Sequence, residues 1–145
     1  MITNWDSKYE TNISEIDSQH KKLFRLINNI EVVYDENKHH LSGKSKILLE
    51  AVSELEDYTL SHFLIEERVM ELNQYPGLEA HILQHNKFTD KILELKNRLN
   101  QGDLLSNDDL LDVFFKDLID FLRAWLTNHI LKEDLDYKPF IKFSI

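Results

Sequence analysis

Turn-forming residues are almost missing from this chain, which has 3 Gly and 2 Pro in 145 residues. A multi-stranded sheet needs such punctuation about every 8 to 12 residues. The supply is too small for that, and long helices are the alternative. The length suits one hydrophobic core. The expected organisation is all-α and a single domain over residues 1–145: an N-terminal arm at 1–16, a four-helix bundle over about 17–135 and a tail at 136–145.

Apolar spacing places the helices. The first is expected to open at Asp17 as N-cap, to carry Leu23, Phe24, Ile27, Ile30 and Tyr34 on one face, and to end near Lys38. The second follows Ser42-Gly43 with Leu48, Val52, Leu55, Tyr58, His62, Val69 and Met70, and breaks between Asn73 and Gly77. Pro76 suits the first turn of a third helix, whose face is Leu78, His81, His85, Phe88, Ile92, Leu95 and Leu99, with Gly102 as its stop. A fourth opens with Ser106 and Asp109 in capping-box spacing and continues through Leu111, Phe115, Leu118, Leu122, Trp125 and His129 to a point before Pro139. Trp5, Tyr9, Ile13 and Ile16 of the arm are expected to pack on the bundle. Short connections favour antiparallel neighbours, hence an up-down-up-down arrangement.

The chain has no cysteine, so disulfides, iron-sulfur clusters and thiolate-bound zinc are excluded, and any metal must sit on nitrogen and oxygen. A net charge of -9 argues against a nucleic-acid groove or an anionic membrane surface as partner. No apolar run approaches the roughly 20 residues of a membrane span, and the N-terminus lacks the basic and apolar regions of a leader. A cytoplasmic monomer is the expectation.

The unusual residues are histidines and carboxylates at helix ends. His20 lies in the first turn of helix one, His62 and Glu66 near the end of helix two, His81 and His85 near the start of helix three, and His129 and Asp134 at the end of helix four. In an up-down-up-down bundle these positions all fall at one end of the molecule. Residues four apart share a helix face, so His62 with Glu66, and His81 with His85, point the same way. A lone buried histidine or a lone HxxxH pair is a weak metal signal. The joint pattern is strong, because each unpaired ion buried in such a layer costs several kcal/mol unless a cation takes the lone pairs.

Seven donors exceed the four of a structural zinc site, so two ions are implied. Imidazole with carboxylate suits iron, manganese or zinc, and the two oxygens of Glu66 and of Asp134 allow each to bridge. Ile82 after His81 removes the general base of an HExxH protease. Ferritin-like di-iron sites need Glu-x-x-His on two helices, and here only Glu36 to His39 has that spacing, at the far end of helix one, where it reads with His40 as solvated loop.

These residues resemble hemerythrin, and in particular the single-domain bacterial hemerythrins. The resemblance covers almost the whole chain: Ile16-Asp17-Ser18-Gln19-His20 with Leu23-Phe24, His62-Phe63 to Glu66-Glu67 and Met70, Tyr75-Pro76 with His81 and His85 before Phe88, and Trp125-Leu126 to His129-Ile130 with Asp134. It implies two iron ions, one held by His81, His85 and His129 and the other by His20 and His62. Glu66 and Asp134 would bridge them together with an oxo or hydroxo group, and dioxygen would bind at the two-histidine iron. It further implies reversible dioxygen binding for storage, transport or delivery to an oxygen-consuming enzyme, by a binding protein and not an enzyme. An oxygen or redox sensor, or an iron or nitric-oxide handling protein, is the alternative for the same site. Trp125 and Leu126 are the expected walls of the oxygen pocket. Asn12 stands where the family often has Gly, and as the next-best residue for positive φ it should keep the same arm conformation. Groups that orient the imidazoles are required on physical grounds, with Glu67, Tyr58 and Tyr137 as candidates.

Overall fold

A computed structural model of the protein describes residues 4–99 and 106–142, in which four long helices and no strands occur. They are α1 (Ser14–Asn37), α2 (Leu41–Leu72), α3 (Leu78–Leu99) and α4 (Asp108–Asn128). Their buried faces follow the expected spacing. On α1 these are Ile16, His20, Leu23, Phe24, Ile27, Ile30 and Tyr34, flanked by Leu26 and Glu31, and on α3 His81, His85, Phe88, Ile92, Leu95 and Leu99. Each such Leu, Ile or Phe contributes about 1.5–3 kcal/mol by leaving water.

Side-chain pairs establish that neighbours run antiparallel. Tyr34, late in α1, donates to Asp112, early in α4, and Glu31 pairs with Arg123. Lys96, late in α3, meets Glu56 in the middle of α2 at 2.6 Å, while Glu66 lies beside His81 at the start of α3. Between α3 and α4 the aromatic rings of Phe88, Phe121 and Trp125 pack together.

Several helix ends differ from the sequence reading. Helix α1 starts at Ser14, because Asp17 is not a cap: its carboxylate accepts both the backbone N–H and the hydroxyl of Thr11, each at 2.8 Å, and so pins the arm. Ile16 therefore belongs to the helix. Helix α2 begins at Leu41, leaving Gly43 inside the first turn; the Ser42 N–H is taken by Asp108 at 2.7 Å. Pro76 sits in the turn ahead of α3 and not in its first turn. Asn107, not Ser106, caps α4 by accepting from the Leu110 N–H at 3.0 Å. Gly102 lies outside the described residues.

The arm contains a short 3-10 turn at Ser7–Tyr9 and then Asn12, whose φ of 66° is the positive value expected. Tyr9, Ile13 and Ile16 are buried, and Trp5 is half-buried against Tyr9 and Phe24. After Asn128 the backbone does not stop. It widens into a π-helical segment, His129–Asp134, followed by tight turns at Leu135–Tyr137 and Lys138–Phe140. Lys138 donates to the Glu10 carbonyl and the Lys142 N–H to Asn73, so the tail is strapped across the arm and the α2–α3 turn. A second small core of Ile13, Ile16, Val69, Met70 and Tyr137 closes this end of the bundle. Gly77 is needed there, since a Cβ would fall 2.7 Å from the ring of Tyr75, which packs on Tyr137 and Phe140.

Candidate metal centre

All seven singled-out side chains, His20, His62, Glu66, His81, His85, His129 and Asp134, are at most 5% exposed and meet in one layer beneath that second core. Glu66 lies at its middle. Its Oε1 is 2.9 Å from His81 Nε2 and 3.0 Å from His85 Nε2, while its Oε2 is 3.4 Å from the Nε2 atoms of both His20 and His62. Asp134 is divided in the same way: Oδ1 is 2.9 Å from Nε2 of His81 and of His129, and Oδ2 is 3.0 Å from His20. Two donor sets result, Glu66, His81, His85, His129 and Asp134 in one, His20, His62, Glu66 and Asp134 in the other, with the donor atoms of each within 4.8 Å of one another.

Local geometry explains most of this. His62 with Glu66, and His81 with His85, are four apart on α-helices and share faces. His129 and Asp134 are five apart, which on an α-helix separates them by about 140° around the axis. The π-helical turn removes that offset by closing i to i+5, bringing the pair to 2.9 Å.

Hydrogen bonding does not satisfy the layer. The Nε2 atoms of His85 and His129 face each other at 3.1 Å, where only one can donate. Among the described residues, both nitrogens of His20, Nδ1 of His129 and both oxygens of Asp134 are buried without a hydrogen-bond partner. Each such orphan costs about 1–3 kcal/mol. Nitrogen and oxygen donors that converge with so little hydrogen bonding among them are what a cation requires, so the donor set fits metal ions.

Without metal the layer distorts its own titration. Burial alone lowers each imidazole, but the adjoining Asp134 and Glu66 carboxylates outweigh it and raise His20 to about 9, His81 to about 10 and His129 to about 9. For His62 burial prevails and the value falls. Glu66 is pushed up by burial yet held well below the usual carboxylate range by His62, His129 and His20, and Asp134 is lowered likewise by His129 and His20.

The surrounding groups were partly foreseen. Glu67 accepts from His85 Nδ1 at 2.7 Å, and the Tyr137 hydroxyl donates to Glu66 Oε2 at 3.0 Å. Tyr58 does not serve this layer: its ring lies under the Lys22 ammonium at 4.5 Å. Gln19, unassigned from the sequence, has its Oε1 2.6 Å from His62 Nδ1, a contact between α1 and α2 that the layer position of its neighbour His20 could have suggested. Phe63 was also missed, and its ring stacks on His85 at 3.8 Å. Trp125 stacks on His129 at 4.5 Å, and both line a surface cleft of about 260 Å³ with Gln84, Asn128 and Lys132. Leu126 is buried. His39 and His40 are exposed in the α1–α2 turn, away from the layer.

Residues 11–141 match the hemerythrin family, described as the hemerythrin HHE cation binding domain. The chain is 31% identical over 141 residues to a bacteriohemerythrin of Pseudomonas aeruginosa, covering 97% of this chain and 82% of that protein. It is 28% identical over 134 residues to a bacteriohemerythrin of Clostridium acetobutylicum, covering 92% and 96%. A hemerythrin-like protein of Naegleria fowleri is 33% identical over 135 residues, covering 93% and 90%. The match spans both histidine sets and the carboxylates between them, and the chain belongs to the hemerythrin family as one of its metal-binding domains.

Proposed function

We propose that this domain binds dioxygen reversibly at a pair of iron ions, for storage, transport or delivery, and that it acts as a binding protein and not as an enzyme. The observation that carries the reading is the division of Glu66 and Asp134, each of which turns one oxygen to His81, His85 and His129 and the other to the side of His20 and His62. Those seven residues would hold the pair. Histidine and carboxylate donors suit iron, and the family membership favours it over manganese or zinc. When bound, the irons supply the reversible electron transfer that dioxygen uptake needs.

The protein's own residues supply the rest. One set offers five donors and the other four, so the two-histidine side is short of a ligand and is where a small molecule is accommodated. Trp125 and Leu126 remain our assignment for the pocket walls, joined by Phe63, whose ring packs against both His62 and His85. An apolar lining excludes water and so limits irreversible oxidation.

Metal analysis of the purified protein is expected to return two irons per chain. Glu66→Ala should lose both, whereas His39→Ala, altering an exposed turn, should keep them. The reduced protein should develop a visible absorption band in air that disappears when oxygen is removed. Rapid decay of that band to a ferric product, or equal metal loss in the two variants, overturns the reading.

A further inference from the structure

The imidazoles of the two sets are not held by equivalent groups. With the Nε2 atoms of His62 and His85 aimed at Glu66, Nδ1 of each carries the proton and donates outward. His85, in the three-histidine set, gives its N–H to a carboxylate, Glu67 Oε2 at 2.7 Å. His62, in the two-histidine set, gives its own to a neutral amide, Gln19 Oε1 at 2.6 Å. Glu66 adds a second asymmetry, because the Tyr137 hydroxyl donates to Oε2, the oxygen facing His20 and His62, and not to Oε1, which faces His81 and His85.

All three contacts act with the same sign. An N–H given to a carboxylate makes a charge-assisted bond, roughly twice as strong as a neutral one, and leaves the imidazole a more basic ligand. An amide acceptor does this far less. A donor hydrogen bond onto a carboxylate oxygen withdraws electron density from whatever that oxygen would ligate. Resting on the di-iron reading above, we propose that this shell polarises the centre: Glu67 makes the three-histidine side electron-rich, while Gln19 and Tyr137 hold the two-histidine side electron-poor, with Gln19 the positioning residue that sets the difference. Electron-poor ligation favours the ferrous state on the side short of a ligand, and so favours release of dioxygen unchanged over permanent oxidation.

Gln19 is half-buried, so a carboxylate of the same length fits there without desolvation of its whole surface. The test is the midpoint potential of the iron-loaded protein in Gln19→Glu and Glu67→Gln. Gln19→Glu should stabilise the oxidised state about tenfold, a shift of about 59 mV downward for a one-electron couple. Glu67→Gln should move it upward. A merely structural role loosens the site in both variants and moves both potentials the same way, so shifts of one sign, or none, overturn the proposal while leaving two irons bound. Fewer than two irons in the unaltered protein would instead remove the di-iron reading itself. In the metal-free protein, nitrogen-edited NMR should show a slowly exchanging Nδ1–H on His62 that Gln19→Leu abolishes and Glu67→Gln preserves. Persistence of that proton in Gln19→Leu means Gln19 is not its acceptor, and the proposal fails.

Discussion

Asn12, exposed in the arm, holds a φ of 66°, a conformation that costs an ordinary L-residue about 1–2 kcal/mol. Its asparagine side chain lessens that cost, and the turn it makes lets Thr11 reach Asp17 and Ile13 enter the second core. Asn12→Ala is therefore expected to destabilise the protein by about 1 kcal/mol, and Asn12→Gly to leave it unchanged within a few tenths, as read from denaturant midpoints with iron content unaltered. This conformation was legible because asparagine is the next-best residue after glycine for positive φ. Gln74 at φ 53° was not, since glutamine has no preference for that region and only the requirement to turn from α2 into α3 places it there. Asp17 shows the converse. Its residue type suits an N-cap, but Thr11, brought back by the Asn12 turn, claimed the carboxylate.

At the scale of elements, the π-helical segment is the feature on which the layer depends. His129 and Asp134 reach the same point only because the turn between them holds one residue more than an α-helical turn would. Deleting the exposed Lys132 should convert the segment to an α-helix with a spacing of four, which also places two side chains on one face. Iron content should survive. Inserting an alanine after Lys132 gives a spacing of six, about 240° around an α-helix, and turns Asp134 away. That variant should lose iron while its far-ultraviolet circular dichroism stays helical; retention of both irons would show that the segment's register does not position Asp134. Elsewhere the elements were readable wherever an apolar face runs uninterrupted, as in α1 and α3. Their ends were less so, because acceptors both near and far along the chain compete for each cap: Asp108 accepts from the Ser42 N–H, and Asn107 takes the role expected of its neighbour Ser106.

For the whole molecule, the layer couples folding to protons and to metal. In the metal-free protein His20, His81 and His129 have values of about 9, 10 and 9, against about 6.5 in an unfolded chain. A raised folded value contributes stability that is complete below about 6.5 and is lost as pH climbs through 9 to 10. Glu66 and Asp134, lowered by the same contacts, contribute above their unfolded values and lose that contribution as pH falls through the folded ones. The lowered His62 opposes folding on the acid side. Metal-free protein should therefore show a thermal midpoint that declines between about pH 6.5 and 10. Iron-loaded protein should lack that decline, since its imidazoles hold metal in place of protons, and loading at neutral pH should release protons. A metal-free midpoint that is flat or rises over this range would mean that the three imidazoles are not paired with the carboxylates. What the sequence determined by itself is what one helix determines: the helical state, from sparse turn residues and apolar spacing, the shared faces of His62 with Glu66 and His81 with His85, and the end of the bundle at which donors gather. Which oxygen of Glu66 and of Asp134 serves which histidines, the reach of Gln19 to His62, and the π-helical register that brings Asp134 in were decided only by the tertiary structure. The physical reason is that spacing along a helix is set by backbone geometry alone, whereas the rotation and register of one helix against another come from the packing of all four.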